Sequence, residues 1–243
     1  MPVIDQQRFD AVVFDMDGVI TDTAKVHEAA WKRLFDDYLR THLGPDEPPF
    51  TGDDYRRYVD GKTRYDGVAA FLGSRGITLP WGDPGDRPEK ETVCGVGNRK
   101  NVLFRAHIDE HGVDPYPSTM QLIDELAAVG IRATMISGSR NASVVLERAG
   151  VADRFEAKVD GLETERLGIP GKPDPAVFIE AARRVGAQPA RAVVVEDAIS
   201  GVEAGRRGRF GMVIGVDRTG HPDGLRDAGA DHVVADLAEV SVV

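Results

Sequence analysis

The hydrophobic positions of this chain follow a strand pattern first and a helix pattern next. Residues 9–15, "FDAVVFD", hold a short apolar run with a β-branched pair, and Gly18 follows, so they predict a buried strand with a sharp loop after it. From Ala24 to about Leu43 the large apolar side chains recur at helical spacing, which predicts an amphipathic helix. No strand is predicted to follow this helix for a long stretch.

Residues 44–100 interrupt the helical pattern. They are rich in Gly, Pro, Asp and Arg and contain "GPDEPPF" and "PWGDPGDRP", which cannot continue a helix because of their prolines and glycines. Short helices are predicted between these breaks, at about 53–60, 64–74 and 98–111. The segment is therefore predicted to contain short helices joined by irregular breaks, and no strand.

Strand and helix patterns alternate after His111. The predicted strands are "IRATMIS", "FEAKVD", "RAVVVEDA", "FGMVIGV" and "DHVVADL". The predicted helices are residues 119–129, "ASVVLERAG", the segment from Asp174 to Gly186, and "SGVEAGRRG". Such alternation predicts an α/β fold, a doubly wound parallel sheet with helices on both faces. The helical block is then an insert after the first strand.

The composition limits the possible classes of function. The chain has 243 residues, of which 42% are hydrophobic, so it can bury a sizeable core. Its formal net charge of −10 argues against a nucleic-acid surface, which needs a basic field to neutralise phosphates. The one cysteine, Cys94, cannot form an internal disulfide, and no apolar leader or membrane segment is recognised. We therefore expect a cytoplasmic protein with neither a nucleic-acid nor a membrane partner.

Polar side chains gather at the predicted carboxyl ends of the strands, where open parallel sheets bind their ligands. The residues predicted to meet there are Asp15, Asp17, Ser137, Gly138, Ser139, Arg140, Asn141, Lys172, Glu196 and Asp197. Each has a more ordinary explanation when taken alone. An Asp-x-Asp pair is commonly a solvated turn or the metal–nucleotide pair of some glycosyltransferases, "SGSRN" can be only a helix cap, and a lone lysine or acidic pair is commonly a surface group. Together they favour one functional site.

The chemistry of these residues is mutually consistent. Two or three carboxylates at one strand edge form a hard oxygen site that suits one magnesium ion, which takes a phosphate oxygen as a further ligand. Ser137 and backbone amides at a helix N-terminus would hold phosphoryl oxygens, and Lys172 would neutralise their charge. Asp15 would attack phosphorus, and Asp17 would serve as general acid and base. The residues therefore predict phosphoryl chemistry.

Four segments match, in order, the motifs of a known family. They are "FDMDGVITDTA" with His27 after it, "SGSRN", "GKPDP" and "VVEDAISGVEAG". With these motifs the chain resembles the haloacid dehalogenase superfamily, and the first motif closely resembles that of its β-phosphoglucomutase-like family. The resemblance implies a discontinuous, Rossmann-like core domain of residues 1–23 and 112–243. It also implies a mobile helical cap domain of residues 24–111.

The resemblance implies roles for individual residues of the core. Asp15 would be the nucleophile, Asp17 the acid and base, and Lys172 a further catalytic residue. The implied ligands of the magnesium ion are the Asp15 carboxylate, the backbone carbonyl of Asp17 and Asp197, with Glu196 adjacent.

Residues just after the first motif are implied to connect the two domains. Thr23 and Ala24 would form part of a hinge. His27 is similar to the family histidine that helps couple substrate binding to Asp17. A lone histidine in a helix is otherwise more commonly a packing or surface residue.

The cap of this family carries a Gly-x-x-Arg patch and a later Arg-Lys-Asn run, which hold the sugar and its second phosphate. This chain has "DGKTRYDG", which supplies Gly61 and Arg64, and "GNRKN", which supplies Arg99, Lys100 and Asn101. Taken alone, "GKTR" is a common surface string and "GVGNRK" a weak glycine match. Their order relative to the core motifs favours substrate binding.

The chain departs from the family pattern at three places. Asp60 stands where we expect a basic residue, and the segment 75–97 is longer than in a minimal cap. Ala198 replaces the serine that often follows the acidic pair. The identity of the substrate is therefore less determined than the chemistry.

The resemblance leaves three functions open. The first is a β-phosphoglucomutase that moves phosphate between C1 and C6 of glucose through β-glucose 1,6-bisphosphate, which would also be its activator. The second is a magnesium-dependent sugar-phosphate phosphatase, in which water resolves the aspartyl phosphate. The third is a receiver-like switch module, against which Asp17 and the long cap argue. For the two enzymes the partner is a small-molecule sugar phosphate, and we expect a monomer.

Overall fold

The computed structural model describes residues 1–218, 220 and 222–243. The strands are β1 Val3–Ile4, β2 Ala11–Asp15, β3 Arg132–Ile136, β4 Ala157–Val159, β5 Ala192–Glu196, β6 Met212–Val216, β7 His232–Val234 and β8 Ser241–Val242. Strands β2 to β7 form one sheet in the order β4-β3-β2-β5-β6-β7, and every neighbouring pair in it is parallel. Strands β1 and β8 form a separate parallel pair.

Helices occupy most of the chain between the strands. The α-helices are α1 Ala24–His42, α2 Gly52–Asp54, α3 Arg64–Ser74, α4 Val93–His111, α5 Pro117–Ala128, α6 Ala142–Arg148, α7 Gly161–Leu167, α8 Ala176–Arg184, α9 Ile199–Arg207 and α10 Pro222–Asp227. The shorter turns are the π-helical Tyr55–Val59 and the 3₁₀ segments Ala152–Arg154, Pro189–Arg191 and Leu237–Glu239. Among the described residues, none of these helices is both long and apolar enough to cross a membrane.

The chain divides into two compact units. We call one the core unit, which consists of Met1–Asp22 and Val113–Val243, and the other the helical unit, which is Thr23–Gly112. The helical unit contains α1 to α4, and the core unit contains all the strands named above. The predicted insert, residues 24–111, lies within the helical unit, and its behaviour as a mobile cap stays a prediction.

The core unit is built on strands that are apolar along their whole length. Every residue of β2, β5 and β6 is buried, as expected for parallel strands that are covered on both faces. Val13 and Val194 belong to an apolar cluster that also contains Phe178 and Ala181 of α8. In the sheet register, Asp15 pairs with Ile136 and Phe14 pairs with Val195. The sheet therefore fixes the carboxyl ends of β2, β3 and β5 side by side.

The helical unit has its own core, which is rich in aromatic rings. The ring centroid of Phe35 lies 5.1 Å from that of Phe50 and 4.2 Å from that of Phe71, and the rings of Phe50 and Phe71 are 4.8 Å apart. Val93 and Val96 of α4 join the same apolar cluster. Aromatic side chains bury much area each, so this cluster holds α1, α3 and α4 together.

The predicted α/β fold with a parallel sheet is confirmed, but the last helix of the insert is longer than predicted. It was expected at 98–111, and α4 begins at Val93 instead. Thr92 accepts a hydrogen bond from the backbone N–H of Gly95 at 3.0 Å, which caps the helix. The sequence does not predict this first turn, because it contains Gly95 and Gly97 and glycine is a poor helix former.

Three further differences concern short elements. The predicted helix 53–60 is the three-residue α2 followed by a π-helical turn. The predicted helix from Asp174 begins as α8 at Ala176, whose N–H donates to Asp174 Oδ1 at 2.9 Å. The elements that were not predicted, α7, α10, β1 and β8, each have seven residues or fewer, which is too short for periodicity to show.

Candidate active site

Strand β2 delivers Asp15 to the carboxyl edge of the sheet, and a tight loop follows it. The N–H of Ile20 donates to the Met16 carbonyl at 2.9 Å, and the N–H of Gly18 donates to the Thr21 carbonyl at 2.8 Å. Gly18 has a φ of +83°, and a Cβ on it would lie 1.8 Å from Oδ2 of Asp197. Glycine is therefore required here, both for its backbone conformation and for the close approach of the loop to Asp197.

A buried lysine lies between two buried carboxyl groups at this edge. The Nζ of Lys172 donates to Oδ1 of Asp15 at 2.5 Å and to Oε1 of Glu196. The other oxygen of Glu196 accepts the N–H of Ala198 at 2.8 Å. Segments far apart in the sequence thus meet as the strand-end rule predicts, and Lys172 orients both carboxyl groups.

Burial and charge act in opposite directions on these three groups. Burial raises the pKa of Asp15, and Lys172 only partly opposes this. Burial likewise raises the pKa of Glu196 to about 8, although Lys172 lowers it. Burial alone would lower the pKa of Lys172, but the two carboxylates outweigh it and raise the pKa above its ordinary value. The lysine is therefore charged, and two carboxyl groups share its single positive charge.

The same edge fits a divalent cation. Asp15, Glu196 and Asp197 each offer a carboxylate oxygen, and these oxygens lie within 4.8 Å of one another. Magnesium binds oxygen at about 2.1 Å, so opposite ligands are about 4.2 Å apart, and small adjustments would bring these oxygens into its shell. Burial raises the pKa values of Asp15 and Glu196, and a cation bound beside them would favour their ionised forms. A contribution from the Asp17 carbonyl stays a prediction.

The loop after β3 brings Ser137 next to Asp17. The Oγ of Ser137 lies 3.5 Å from Oδ2 of Asp17 and accepts the N–H of Ser139 at 3.0 Å. A Cβ on Gly161, at the start of α7, would lie 2.8 Å from the carbonyl oxygen of Gly138, so this loop packs directly against α7. The serine hydroxyl is therefore held beside the predicted acid and base.

Two other residues of this loop contact groups within the loop or on the adjacent helix α7. The N–H of Asn141 donates to Oγ of Ser139 at 3.1 Å, which closes the turn into α6. Nη1 of Arg140 lies 3.4 Å from Oε1 of Glu165 on α7. Substrate contacts by Gly138, Ser139, Arg140 and Asn141 stay predictions.

The helical unit gathers a second group of predicted residues. Lys100 is buried, and its Nζ lies 2.7 Å from Nδ1 of His27. The same Nζ lies 4.6 Å from the ring centroid of Phe104 and 5.1 Å from that of Trp31, which are cation–π distances. An ammonium has only donors, so Nδ1 of His27 must accept and a neutral imidazole then carries its proton on Nε2.

The surroundings of His27 favour that neutral form. Burial lowers its pKa well below the ordinary value, and the charges of Lys100 and Arg64 lower it further. Thr23, the predicted hinge residue, directly precedes α1, and its carbonyl accepts the N–H of His27 at 2.9 Å.

Arg64 begins α3 and is held by two amides of α4. Its Nη2 donates to Oδ1 of Asn101 at 2.9 Å, and its Nη1 donates to Oδ1 of Asn98 at 3.3 Å. Gly61, in the turn before α3, has a φ of +69°, which favours glycine. The structure therefore brings Arg64 and Asn101 together, as it does His27 and Lys100, while their contacts with substrate stay predictions.

Sequence reasoning missed two residues that support these groups. Nε of Arg218 donates to the Gly18 carbonyl at 2.8 Å, and its guanidinium lies 3.8 Å from the ring centroid of Tyr116. Arg218 follows β6 at the same sheet edge, so the strand-end rule could have found it. Asn98 stands three residues before Asn101 on a helix, a spacing that places both on one face.

Comparisons with known proteins agree with the motifs. A family model described as haloacid dehalogenase-like hydrolase matches residues 9–209. The β-phosphoglucomutase of Mycobacterium tuberculosis (strain CDC 1551 / Oshkosh) is 43% identical over 242 residues, which cover 96% of this chain and 92% of the relative. The trehalose-phosphate phosphatase of Mycobacterium leprae (strain TN) is 42% identical over 132 residues, which cover 53% of this chain and 29% of the relative.

A solved structure shares the fold. The crystal structure of β-phosphoglucomutase from Clostridium difficile matches with a TM-score of 0.74 and 23% identity, over 94% of this chain and 92% of that one. At 23% identity this match supports the fold and nothing more specific. The family model and the sequence relatives carry the assignment further, because they span most of the chain. The chain therefore belongs to the haloacid dehalogenase-like hydrolases, in their β-phosphoglucomutase-like family, and is an enzyme of phosphoryl transfer.

Proposed function

We propose that the protein is a β-phosphoglucomutase, which interconverts β-D-glucose 1-phosphate and glucose 6-phosphate through an aspartyl phosphate on Asp15 and a β-glucose 1,6-bisphosphate intermediate. The observation that carries this proposal is the cationic group of the helical unit, Lys100 and Arg64. A mutase must retain a substrate with two phosphates, so it needs positive charge for the phosphate that is not reacting. The relatives named as β-phosphoglucomutases support the same function.

The core unit supplies the groups for the transfer itself. The Asp15 carboxylate, oriented by Lys172, would attack phosphorus, so that a bond between oxygen and phosphorus forms and the bond to the sugar oxygen breaks. Asp17 would give a proton to the leaving sugar oxygen and later take one from the attacking hydroxyl. Ser137, beside Asp17, would donate its hydroxyl hydrogen to a phosphoryl oxygen.

A magnesium ion fits the carboxylates described above. Asp15 and Asp197 would hold it, with Glu196 beside them. When bound, it would supply positive charge to the phosphoryl oxygens as they gain negative charge. A cytoplasmic location and a monomeric state stay predictions from the sequence.

A phosphatase of the same family is the second candidate. The match to a trehalose-phosphate phosphatase over 53% of the chain is the observation that favours it. In that case water, rather than a sugar hydroxyl, would resolve the aspartyl phosphate, and Arg64 and Lys100 would not be needed to hold a second phosphate.

Phosphorus NMR separates the two candidates. The enzyme is given β-glucose 1-phosphate, magnesium and a trace of β-glucose 1,6-bisphosphate, with the Asp15→Asn variant as the inactive control. A mutase converts the substrate to glucose 6-phosphate while inorganic phosphate stays near its initial level. Inorganic phosphate as the main product would reject the mutase and favour the phosphatase.

A further inference from the structure

The long segment between α3 and α4, residues 75–92, is fastened along the start of α4. The N–H groups of Val93 and Cys94 donate to the carbonyls of Pro80 and Trp81 at 2.9 and 3.0 Å. Asp86 Oδ2 accepts the hydroxyl of Thr92 at 2.7 Å. The first N–H groups of a helix have no partner within it, so the segment provides acceptors that α4 needs. We call residues 75–92 the strap.

Two strap carbonyls determine how the side-chain amide of Asn98 is oriented. Nδ2 of Asn98 donates to the carbonyl of Pro84 at 3.0 Å and to that of Asp86 at 2.9 Å. A carbonyl can only accept, so the amide must present its nitrogen to the strap. Its oxygen is thereby directed the opposite way, toward α3.

The oxygen of Asn98 then serves two donors of α3. It accepts the hydroxyl of Tyr65 at 3.1 Å and Nη1 of Arg64 at 3.3 Å. The flipped amide would place two donors against a guanidinium, which can only donate. The strap therefore fixes the Asn98 oxygen as an acceptor for Arg64.

The two amides that hold Arg64 are neutral. Asn98 accepts from Nη1 and Asn101 accepts from Nη2, so both ends of the planar guanidinium are oriented. A carboxylate in either place would also orient the guanidinium, but it would offset its positive charge. These two neutral acceptors orient the group without adding negative charge beside it.

The glycines beside Asn98 make the close packing possible. A Cβ on Gly97 would lie 2.9 Å from the Tyr65 ring and 3.1 Å from Cγ of Arg64. A Cβ on Gly95 would lie 2.2 Å from the carbonyl oxygen of Lys90. Helix α4 thus approaches both α3 and the strap at positions where only glycine fits.

We propose that Asn98 is a positioning residue, through which the strap orients Arg64 for the non-reacting phosphate of a sugar bisphosphate. This inference rests on the proposed function, since it takes Arg64 as the group that holds that phosphate. The strap then sets how strongly the helical unit selects doubly phosphorylated sugars, although it provides only backbone carbonyls to the arrangement.

A double-mutant cycle on ligand affinity tests the inference. Calorimetry measures the binding of β-glucose 1,6-bisphosphate, with magnesium, to proteins that all carry Asp15→Asn, so that the ligand is not consumed. Asn98→Ala should weaken binding roughly tenfold, as expected for one lost hydrogen bond to a charged group. In the presence of Arg64→Ala, Asn98→Ala should change the affinity by less than about twofold, because its effect passes through Arg64.

Two further variants sharpen the cycle. Asn98→Asp keeps an acceptor for Arg64 but loses both donors to the strap and adds a negative charge, so it should bind as weakly as Asn98→Ala. Lys90→Ala removes the exposed ammonium that pairs with Asp86 but leaves the Pro84 and Asp86 carbonyls that bind Asn98, so it should bind like the parent protein. Melting temperatures of all variants establish that each is folded.

The outcomes are distinct. Equal weakening by Asn98→Ala with and without Arg64 would make Asn98 a structural residue and overturn the inference, as would parent-like binding by Asn98→Ala or Asn98→Asp. Absence of bisphosphate binding by the parent protein would also overturn it. The proposed function is judged separately, from the products of the unmodified enzyme. If those products are those of a mutase but the effects of Asn98→Ala and Arg64→Ala on affinity are additive, only the proposed role of Asn98 is rejected.

Discussion

The core unit and the helical unit both bury cationic side chains, but they surround them differently. In the core unit the ammonium of Lys172 contacts the carboxyl groups of Asp15 and Glu196 directly. In the helical unit the partners described above for Lys100 and Arg64 are an imidazole, two amides and two aromatic rings, all of them neutral. The core unit therefore orients anionic groups with its cation, whereas the neutral groups named for the helical unit orient Lys100 and Arg64 without adding negative charge beside them.

This contrast follows the work that each unit is proposed to do. Phosphoryl transfer needs a carboxylate nucleophile and a site for a divalent cation, and the carboxyl groups gathered at the sheet edge suit both. Holding a second phosphate needs a cation whose field is not offset in advance. The four predictions below test whether chemistry and anion binding are separable in this way.

The largest effect is expected from Asp15→Asn. An amide of the same size cannot form the acyl phosphate, so phosphoryl transfer should fall by about 10⁴-fold or more. Affinity for β-glucose 1,6-bisphosphate should not fall, because the change removes a negative charge and leaves the helical unit intact. Steady-state kinetics and calorimetry measure the two quantities. Activity within about tenfold of the unmodified enzyme would refute the assignment of the nucleophile.

The second largest effect is expected from metal removal, which should abolish catalysis by the core unit and leave the helical unit unchanged. Chelation should abolish turnover, magnesium should restore it, and calcium should restore it poorly because of its larger and looser coordination. Tryptophan fluorescence is the control for the helical unit, because both tryptophans of the chain, Trp31 and Trp81, lie there. It should not change when the metal is removed. Full turnover in the presence of chelator would contradict a metal site at Asp15, Glu196 and Asp197.

The sequence was more informative about the core unit than about the helical unit. Buried parallel strands are continuous apolar runs with polar residues at their ends, so the positions of Asp15, Ser137 and Glu196 at one sheet edge followed from local pattern. The direct contact of Lys172 with Asp15 could not be read in this way, because 157 residues separate them.

The helical unit was harder to predict for a physical reason. Some of its contacts join side chains to backbone carbonyls of the irregular strap, and no periodicity in the sequence predicts such contacts. Gly95 and Gly97 argued against a helix on intrinsic propensity, yet they are the positions at which α4 packs against its neighbours. Asn98 was passed over for the same reason, because its importance depends on Pro84 and Asp86, whose carbonyls it binds.

The third prediction compares the two units within one variant, Arg64→Ala. Loss of a charge-assisted contact to the second phosphate should remove roughly 2 to 4 kcal/mol of transition-state stabilisation. This would lower kcat/KM for β-glucose 1-phosphate about 30-fold to 1,000-fold. Hydrolysis of acetyl phosphate, which has no second phosphate, should change little. A parallel fall in both activities would show that Arg64 supports the structure, and no fall in either would favour the phosphatase.

The smallest effect is expected from the pH dependence of the helical unit. Burial, Lys100 and Arg64 hold the pKa of His27 well below its ordinary value near 6.5. As the pH falls below that value, the unfolded chain takes up a proton that the folded unit does not, so protons favour the unfolded state. The unfolding free energy should therefore fall with decreasing pH relative to a His27→Gln variant, by roughly 1 kcal/mol between pH 7.5 and 5.5.

Urea titrations followed by tryptophan fluorescence measure this difference, because Trp31 and Trp81 report on the helical unit. His27→Gln serves as the matched reference, since a glutamine amide can still accept from Lys100 but has no proton to gain in this range. Other titrating groups are common to both proteins and cancel in the comparison. If the stability difference between the two proteins is the same at pH 7.5 and 5.5, the pKa of His27 is the same in the folded and unfolded states. Burial and the positive charges of Lys100 and Arg64 would then not lower it, which contradicts the contrast drawn between the two units.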